Sequence, residues 1–175
     1  MAGSRPFRFG VHTSDAQTGD DWAAAARRYE ALGFSTLMLR DHFDQQLAPI
    51  VAMTAAACAT RTLRVGCLVF ANDYRHPLVL AKELATLDRL SNGRVEIGIG
   101  AGWMGSDYAQ AGMPFDAPGD RVGRLQETVR VMKAFSRAGP STSRASTTRS
   151  ARTRCIRPPC NAPPHRSSWS PADRA

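Results

Sequence analysis

The sequence predicts an α/β fold built on a parallel sheet. Three observations carry that expectation. Short apolar runs alternate four times with segments of helical periodicity. The runs are nearly continuous in apolar residues, as in strands covered on both faces. Each pair of runs is separated by enough chain for a helical crossover, which parallel strands need because a tight hairpin cannot join them. At 175 residues the chain can bury one hydrophobic core and is too short for two ordinary domains.

The first strand is expected over residues 7–11, between Pro6 and a polar loop. A helix follows in which Trp22, Ala25, Ala26, Tyr29 and Leu32 recur at helical spacing, with Asp20 or Asp21 as its cap and Gly33 as its left-handed end. Residues 35–40 form the second strand. The next helix runs from Pro49 to Thr60 with Ile50, Val51, Met53 and Thr54 on one side. Residues 64–69 form the third strand. A helix opened by Pro77 then presents Leu78, Ala81, Leu84, Ala85 and Leu87. Asn92-Gly93 turns the chain into a fourth strand over 94–99. Beyond it a loop rich in Gly, Met, Pro and Asp leads to a last helix carrying Val122, Leu125, Val129, Met132 and Phe135.

Charge divides the chain. Residues 1–139 hold 16 Lys+Arg against 14 Asp+Glu, whereas residues 140–175 hold 7 Arg against Asp173 alone. The basicity therefore belongs to the tail, and the body is no nucleic-acid-coating polycation. The tail also has 7 Ser, 6 Pro and 4 Thr, with Ile156 its only residue of the Ile/Leu/Val/Met group. Its composition predicts disorder, with at most nonspecific nucleic-acid contacts. Two domains are expected, a folded body over 1–139 and this tail over 140–175. Cys155, Cys160 and His165 supply too few ligands for a metal site, and none is expected. There is no apolar stretch near the roughly 18 residues that span a bilayer and no secretory h-region, so a soluble cytoplasmic protein is expected.

Four places carry candidate chemistry. Asp41 and His42 stand at the end of the second strand, where parallel α/β folds gather their reacting groups, and Asp41 could orient or charge His42 for proton transfer. Gly98, Gly100 and Gly102 strip side chains from one face of the fourth strand, leaving room for a flat ligand. Gly100, Gly102 and Gly105 also spell GxGxxG, although a dinucleotide fingerprint belongs to the first βα unit. Cys67 and Leu68 lie inside the third strand with Asn72 past its end; the plain reading of Cys67 is a small buried apolar residue.

FRFGV, ALGFSTLMLRDHF and LRVGCLVFANDYRHPLVLAKELATLDRLSNGRVEIGIGAGW together resemble the N-terminal half of the luciferase-like monooxygenase superfamily, and within it the oxidoreductases that use coenzyme F-420. The resemblance covers residues 6–137 and implies part of a (β/α)8 barrel, a TIM barrel, of which about four units are present. It implies coenzyme F-420 as cofactor, with FMN as the alternative, and hydride transfer to or from a small organic substrate. By the same resemblance Asp41 bonds the deazaflavin ring and His42 contacts ring or substrate and moves a proton. Cys67 and Leu68 flank a non-prolyl cis peptide behind the ring, and Asn72, Ala101, Gly102 and Trp103 lie along the cofactor. Trp103 falls where the sugar-phosphate dehydrogenases of the family carry a glutamate, which counts against a sugar-phosphate substrate.

A complete barrel needs about 250 residues. The expectation is therefore a truncated or frameshifted product with weak catalysis, whose unpaired edge strands favour self-association. The competing readings are a noncatalytic half-barrel that binds a partner protein and an NAD(P)-dependent dehydrogenase.

Overall fold

The computed structural model describes residues 7–16 and 18–138. The expected tail, its three candidate metal ligands and the boundary at residues 139 and 140 lie outside the described residues. Four strands form one parallel sheet: β1 (Gly10–His12), β2 (Thr36–Leu39), β3 (Arg64–Ala71) and β4 (Val95–Gly100). Their spatial order is β1-β2-β3-β4, so neighbours in sequence are neighbours in the sheet. That is the order of consecutive barrel staves. It contradicts the dinucleotide-binding alternative, whose strand order reverses about the first strand.

Among the described residues five helices accompany the sheet, α1 (Gly19–Ala31), α2 (Pro49–Ala59), α3 (Pro77–Leu90), α4 (Gly105–Gln110) and α5 (Pro118–Ala138), with a 3-10 turn at Asn72–Tyr74. No helix among the described residues is long and apolar enough to cross a membrane.

The first three helices begin for local reasons. Thr18, rather than Asp20 or Asp21, caps α1: its Oγ1 accepts from the Asp21 amide at 3.1 Å and donates to the Asp21 carboxylate at 2.7 Å. Two acids in the first turn then lie near the positive end of the helix dipole. Gly33 ends the helix at φ +82°, as expected. Pro49 and Pro77 open α2 and α3, where a missing N–H costs nothing. His76 caps α3, its Nδ1 accepting from Leu78 N at 3.2 Å.

Leu37, Leu39, Val65, Cys67 and Phe70 project from one face of β2 and β3 into a core shared with Trp22, Ala26, Met53, Ala56, Leu80 and Leu84 of the helices. On α2 the buried line is Ala52, Met53, Ala56 and Ala57, while Val51 points to solvent. The expected Ile50/Val51 face is thus rotated, because small alanines let α2 lie close to its neighbours and the sheet. Leu32, Leu78 and Ala85 are also exposed, each just off the buried stripe of its helix. β1 starts at Gly10 instead of residue 7, leaving Phe7 and Phe9 exposed ahead of this edge strand.

Two polar clamps hold the layers together. Trp22 Nε1 donates to Ala52 O at 2.9 Å, tying α1 to α2 inside the core. The Arg94 guanidinium donates to Ala57 O, Thr60 Oγ1, Leu63 O and Ser91 O at 2.7–3.1 Å, so one side chain satisfies the carbonyl end of α2 and fixes the entry to β4.

Glu30 clamps the α2–β3 loop from α1. Its Oε1 accepts from the amides of Arg61, Thr62 and Leu63 and from Thr62 Oγ1, at 2.5–2.9 Å. Burial opposes the charge, but these four donors outweigh it and hold the carboxyl down at about 2 against an ordinary 4.5. A depressed folded-state pKa contributes stability that is complete above the unfolded value and is lost as pH falls through the folded one. Glu30→Gln is accordingly expected to unfold at lower urea by about 1–2 kcal/mol at pH 7, the gap closing between pH 4.5 and 2. Urea titrations of both proteins across that range check this.

Candidate active site

Parallel strands in register bring all four C-terminal ends to one rim. Ser14 arrives there from β1, Asp41 and His42 from β2, Asn72 to Arg75 from β3, and Ala101 to Trp103 followed by α4 from β4.

Asp41 and His42 do not act on each other. Successive side chains on extended backbone point in opposite directions. Asp41 turns inward: its Oδ2 accepts from Ala71 N at 2.9 Å and from Arg75 Nη1 at 2.6 Å, and its Oδ1 accepts from Arg75 Nη2 at 2.9 Å. Both carboxylate oxygens thus serve the joint between β2 and the end of β3. His42 turns instead toward α4, where its Nδ1 lies 2.7 Å from Asp107 Oδ2. The expectation that Asp41 orients His42 is corrected: the orienting carboxylate is Asp107, 65 residues downstream.

Asp107 is buried and receives a second donor on the same oxygen, Tyr74 Oη at 2.8 Å. Burial alone would raise its pKa, yet the hydrogen bonds from His42 and Tyr74 and the interaction with the imidazole hold it below the usual carboxylate range. Burial and the Asp107 charge push the Tyr74 phenol up, so Tyr74 remains a donor. An ionised carboxylate can only accept, which fixes the proton of a neutral His42 on Nδ1 and leaves the Nε2 lone pair free. The indole of Trp103 stands edge-on to the imidazole, centroids 5.9 Å apart at 90°, and is itself 71% exposed.

α4 is held by a second pair. Tyr108 Oη donates to Asp73 Oδ2 at 3.0 Å, and Arg124 of α5 grips Asp73 through Nε and Nη2 at 3.0 and 2.9 Å and Asp116 through Nη1 at 2.7 Å. Burial and the Asp73 charge push the Tyr108 phenol up to about 12. Phe43, Tyr74, Tyr108 and Phe115 stack in sequence with centroids 4.5, 5.7 and 4.8 Å apart. Asn72 is buried beside them; its Nδ2 donates to Asp73 Oδ1 at 3.0 Å, while its Oδ1 has no partner among the described residues.

β3 runs to Ala71, past the expected end at residue 69, and Cys67 and Leu68 lie inside it, as expected. Cys67 is fully buried in the helix-side core, where burial, and then the Asp41 charge, push its thiol up. The cis peptide lies one residue beyond the expected bond, at Leu68-Val69, within the register shift between Cys67 and Phe70. There Leu68 and Val69 leave the regular ladder and are exposed, at 59% and 39%.

This bulge also corrects the reading of the glycine face. A Cβ on Gly98 or Gly100 would come within 2.8 Å of a Val69 methyl, so the chain's own valine fills the space expected for a ligand. A Cβ on Gly102 would sit 2.0 Å from Tyr108 Oη. The GxGxxG match is therefore walled off at its central glycine.

The luciferase-like monooxygenase family model matches residues 2–172. The chain belongs to that family. Among its relatives in the family is the F420-dependent glucose-6-phosphate dehydrogenase of Amycolatopsis mediterranei, 30% identical over 135 residues, covering 72% of this chain and 40% of that protein. Among solved structures, the coenzyme F420 dependent tetrahydromethanopterin reductase from Methanopyrus kandleri superposes with a TM-score of 0.56 at 30% identity, covering 62% of this chain and 30% of that one. The FMN complex of the oxygenating constituent of 3,6-diketocamphane monooxygenase from Pseudomonas putida shares the fold, with a TM-score of 0.62 at 22% identity, covering 71% and 38%. The chain spans about half the length, or less, of the curated relatives it matches, 52% of one and 40% of another.

Asp107, Tyr74, Tyr108 and Arg75 were not among the residues expected at the site. Tyr74 and Arg75 lie at the turn after β3, and the segment of Asp107 and Tyr108, α4, reads as loop because six residues starting at Gly105 are too few to show a helical stripe. The adjacent Asp107-Tyr108 pair, ionisable and aromatic among small residues, was its one visible signal. Gly102 has φ +77° in addition to its contact with Tyr108. Gly102→Ala should therefore destabilise the fold by more than about 1 kcal/mol, read as a lower urea midpoint, and shift the tyrosine near-UV signal of the α4 cluster.

Proposed function

We propose that this chain carries the cofactor-facing rim of a flavin- or deazaflavin-dependent oxidoreductase, with coenzyme F-420 favoured over FMN and a small organic molecule as substrate. The observation that carries the reading is the His42–Asp107 pair on the rim of a sheet that belongs to this family. The A. mediterranei and M. kandleri relatives, both F420-dependent by name, support the deazaflavin.

The residues present suit a planar heterocycle. Leu68, Val69 and Trp103 form exposed apolar surface at the rim, and the unpartnered Asn72 Oδ1 is an acceptor suited to a ring N–H. Ala101 and Gly102 contribute backbone beside them. Cys67 acts only through its backbone, since its side chain is in the core. When bound, such a cofactor supplies a two-electron hydride donor or acceptor.

The chain's own task is the accompanying proton. With Nδ1 committed to Asp107, His42 presents Nε2 to take a proton from a substrate hydroxyl during oxidation, or to return one to a carbonyl oxygen during reduction. Asp107 holds the ring orientation and stabilises the imidazolium formed when Nε2 is protonated. Asp41 is assigned a supporting role, locking Arg75 and the end of β3 beneath the site. Trp103 narrows the approach to His42 from the open side.

Titration of the purified chain with F-420 and with FMN, followed by quenching of tryptophan emission, tests this reading. Saturable binding of F-420, lost with Trp103→Phe as the reporter and weakened at least tenfold by His42→Ala, is the expected result. Saturable binding of neither cofactor overturns it.

A further inference from the structure

Three carboxylates at the rim are largely withdrawn from solvent, and two of them face an arginine: Asp41 pairs with Arg75 and Asp73 with Arg124. Asp107 does not. Among the described residues its ion-pair partner is the His42 imidazole, and the place that an arginine takes on the other two is taken by the neutral phenol of Tyr74.

That phenol competes with the imidazole. His42 Nδ1 and Tyr74 Oη approach the same oxygen, Asp107 Oδ2, at 2.7 and 2.8 Å. An ionised carboxylate oxygen has lone pairs for both donors. Each donor nevertheless draws on one charge, so a proton held on one lone pair leaves the oxygen a weaker acceptor at the other. The same competition shows in the carboxyl, which both hydrogen bonds hold below the usual carboxylate range, with a smaller contribution from the Phe43 backbone.

Tyr74 is held where it can do this. Its ring lies tilted against Phe43 with centroids 4.5 Å apart and edge-on to Tyr108 at 5.7 Å, and burial and the Asp107 charge keep the phenol protonated. The other ionisable groups that act on Tyr74 are engaged elsewhere: Asp41 with Ala71 N and Arg75, and the Tyr108 hydroxyl with Asp73.

We infer that Tyr74 is a positioning residue for the proton transfer: by sharing Asp107 Oδ2, its hydroxyl limits how strongly that carboxylate holds the Nδ1–H of His42, and so how strongly it favours the imidazolium formed when Nε2 is protonated. An imidazolium braced by an uncontested carboxylate gives its proton back less readily. With the phenol on the same oxygen, His42 can both take and return a proton. The functional meaning rests on the proposed role of His42, but the sharing of Oδ2 belongs to the chain without cofactor and is measured there. A failed cofactor titration would remove that role and leave this measurement standing, and the reverse also holds.

Proton and ¹⁵N NMR of the full chain without cofactor, at a pH where His42 is neutral, reads the shared bond. The His42 side chain is 17% exposed, and its Nδ1 proton is protected by the hydrogen bond. Tyr74→Phe keeps the ring and deletes the hydroxyl. The His42 Nδ1–H resonance is expected to move downfield by more than its linewidth, because a stronger hydrogen bond to an ionised carboxylate is shorter and deshields the proton. A merely structural role predicts the opposite, since a loosened α4 lengthens the bond and sends the resonance upfield or broadens it away. Either of those results, or an unmoved resonance in the folded variant, overturns the inference. Replacing Tyr74 with 3-fluorotyrosine makes the phenol a stronger donor at nearly the same shape, and is expected to move the resonance upfield of its position in the unsubstituted chain. If Tyr74→Phe does not fold, that second substitution decides alone, and a downfield or absent shift in it overturns the inference.

Discussion

The rim of this sheet is organised around one buried oxygen atom. Asp107 Oδ2 accepts from His42 Nδ1 and from Tyr74 Oη, and so joins the end of β2, the turn after β3 and the short helix after β4. A helix of six residues has almost no intrinsic stability, since nucleation consumes most of what so few hydrogen bonds return. α4 therefore exists because its side chains are held: Asp107 on one side, and Tyr108 against Asp73 and Arg124 on the other. The reverse dependence holds as well. Without α4, His42 has no fixed tautomer and the Tyr74 hydroxyl has no acceptor among the described residues.

Around that junction the charges are arranged as a frame. Asp41–Arg75 locks β2 to β3, and Arg124 ties α5 to Asp73 and Asp116. Asp41 and Asp73 are largely withdrawn from solvent, so removing the arginine from either would cost more than the loss of an exposed pair, which is worth about 0–1 kcal/mol; Arg124–Asp116 is itself such an exposed pair. The frame accounts for an arrangement in which one dipeptide, Asp41-His42, does two unrelated things. One residue braces the joint between β2 and β3, and its neighbour turns to Asp107 on α4.

The fold was largely legible in the sequence because its signals are local. Apolar runs, helical stripes, the prolines at the starts of α2 and α3 and the glycine at φ +82° after α1 each act over a few residues. What failed were assignments that depend on distant partners. Val51 and Leu32 have the right chemistry for a core, but Val51 lies on the wrong side of α2 and Leu32 just past the end of α1. Gly98 and Gly100 do leave an open face, but the bulge in β3 sends Val69 into it. Sequence adjacency suggested Asp41 as the partner of His42, whereas alternation along extended backbone separates them and the real partner is 65 residues away. The resemblance brought the correct family; the carboxylate that orients the imidazole became visible only with the tertiary contacts.

The central claim is that Asp107 fixes His42 as the Nδ1-protonated tautomer with Nε2 available at the rim. Imidazole ¹⁵N NMR of the full chain, at a pH where His42 is neutral, tests it directly. The account requires a protonated, amide-like Nδ1 and a lone-pair-bearing Nε2 for His42, with the distinction collapsing toward exchange-averaged shifts in Asp107→Ala. An Nε2-protonated His42, or shifts unchanged in a folded Asp107→Ala protein, would contradict it.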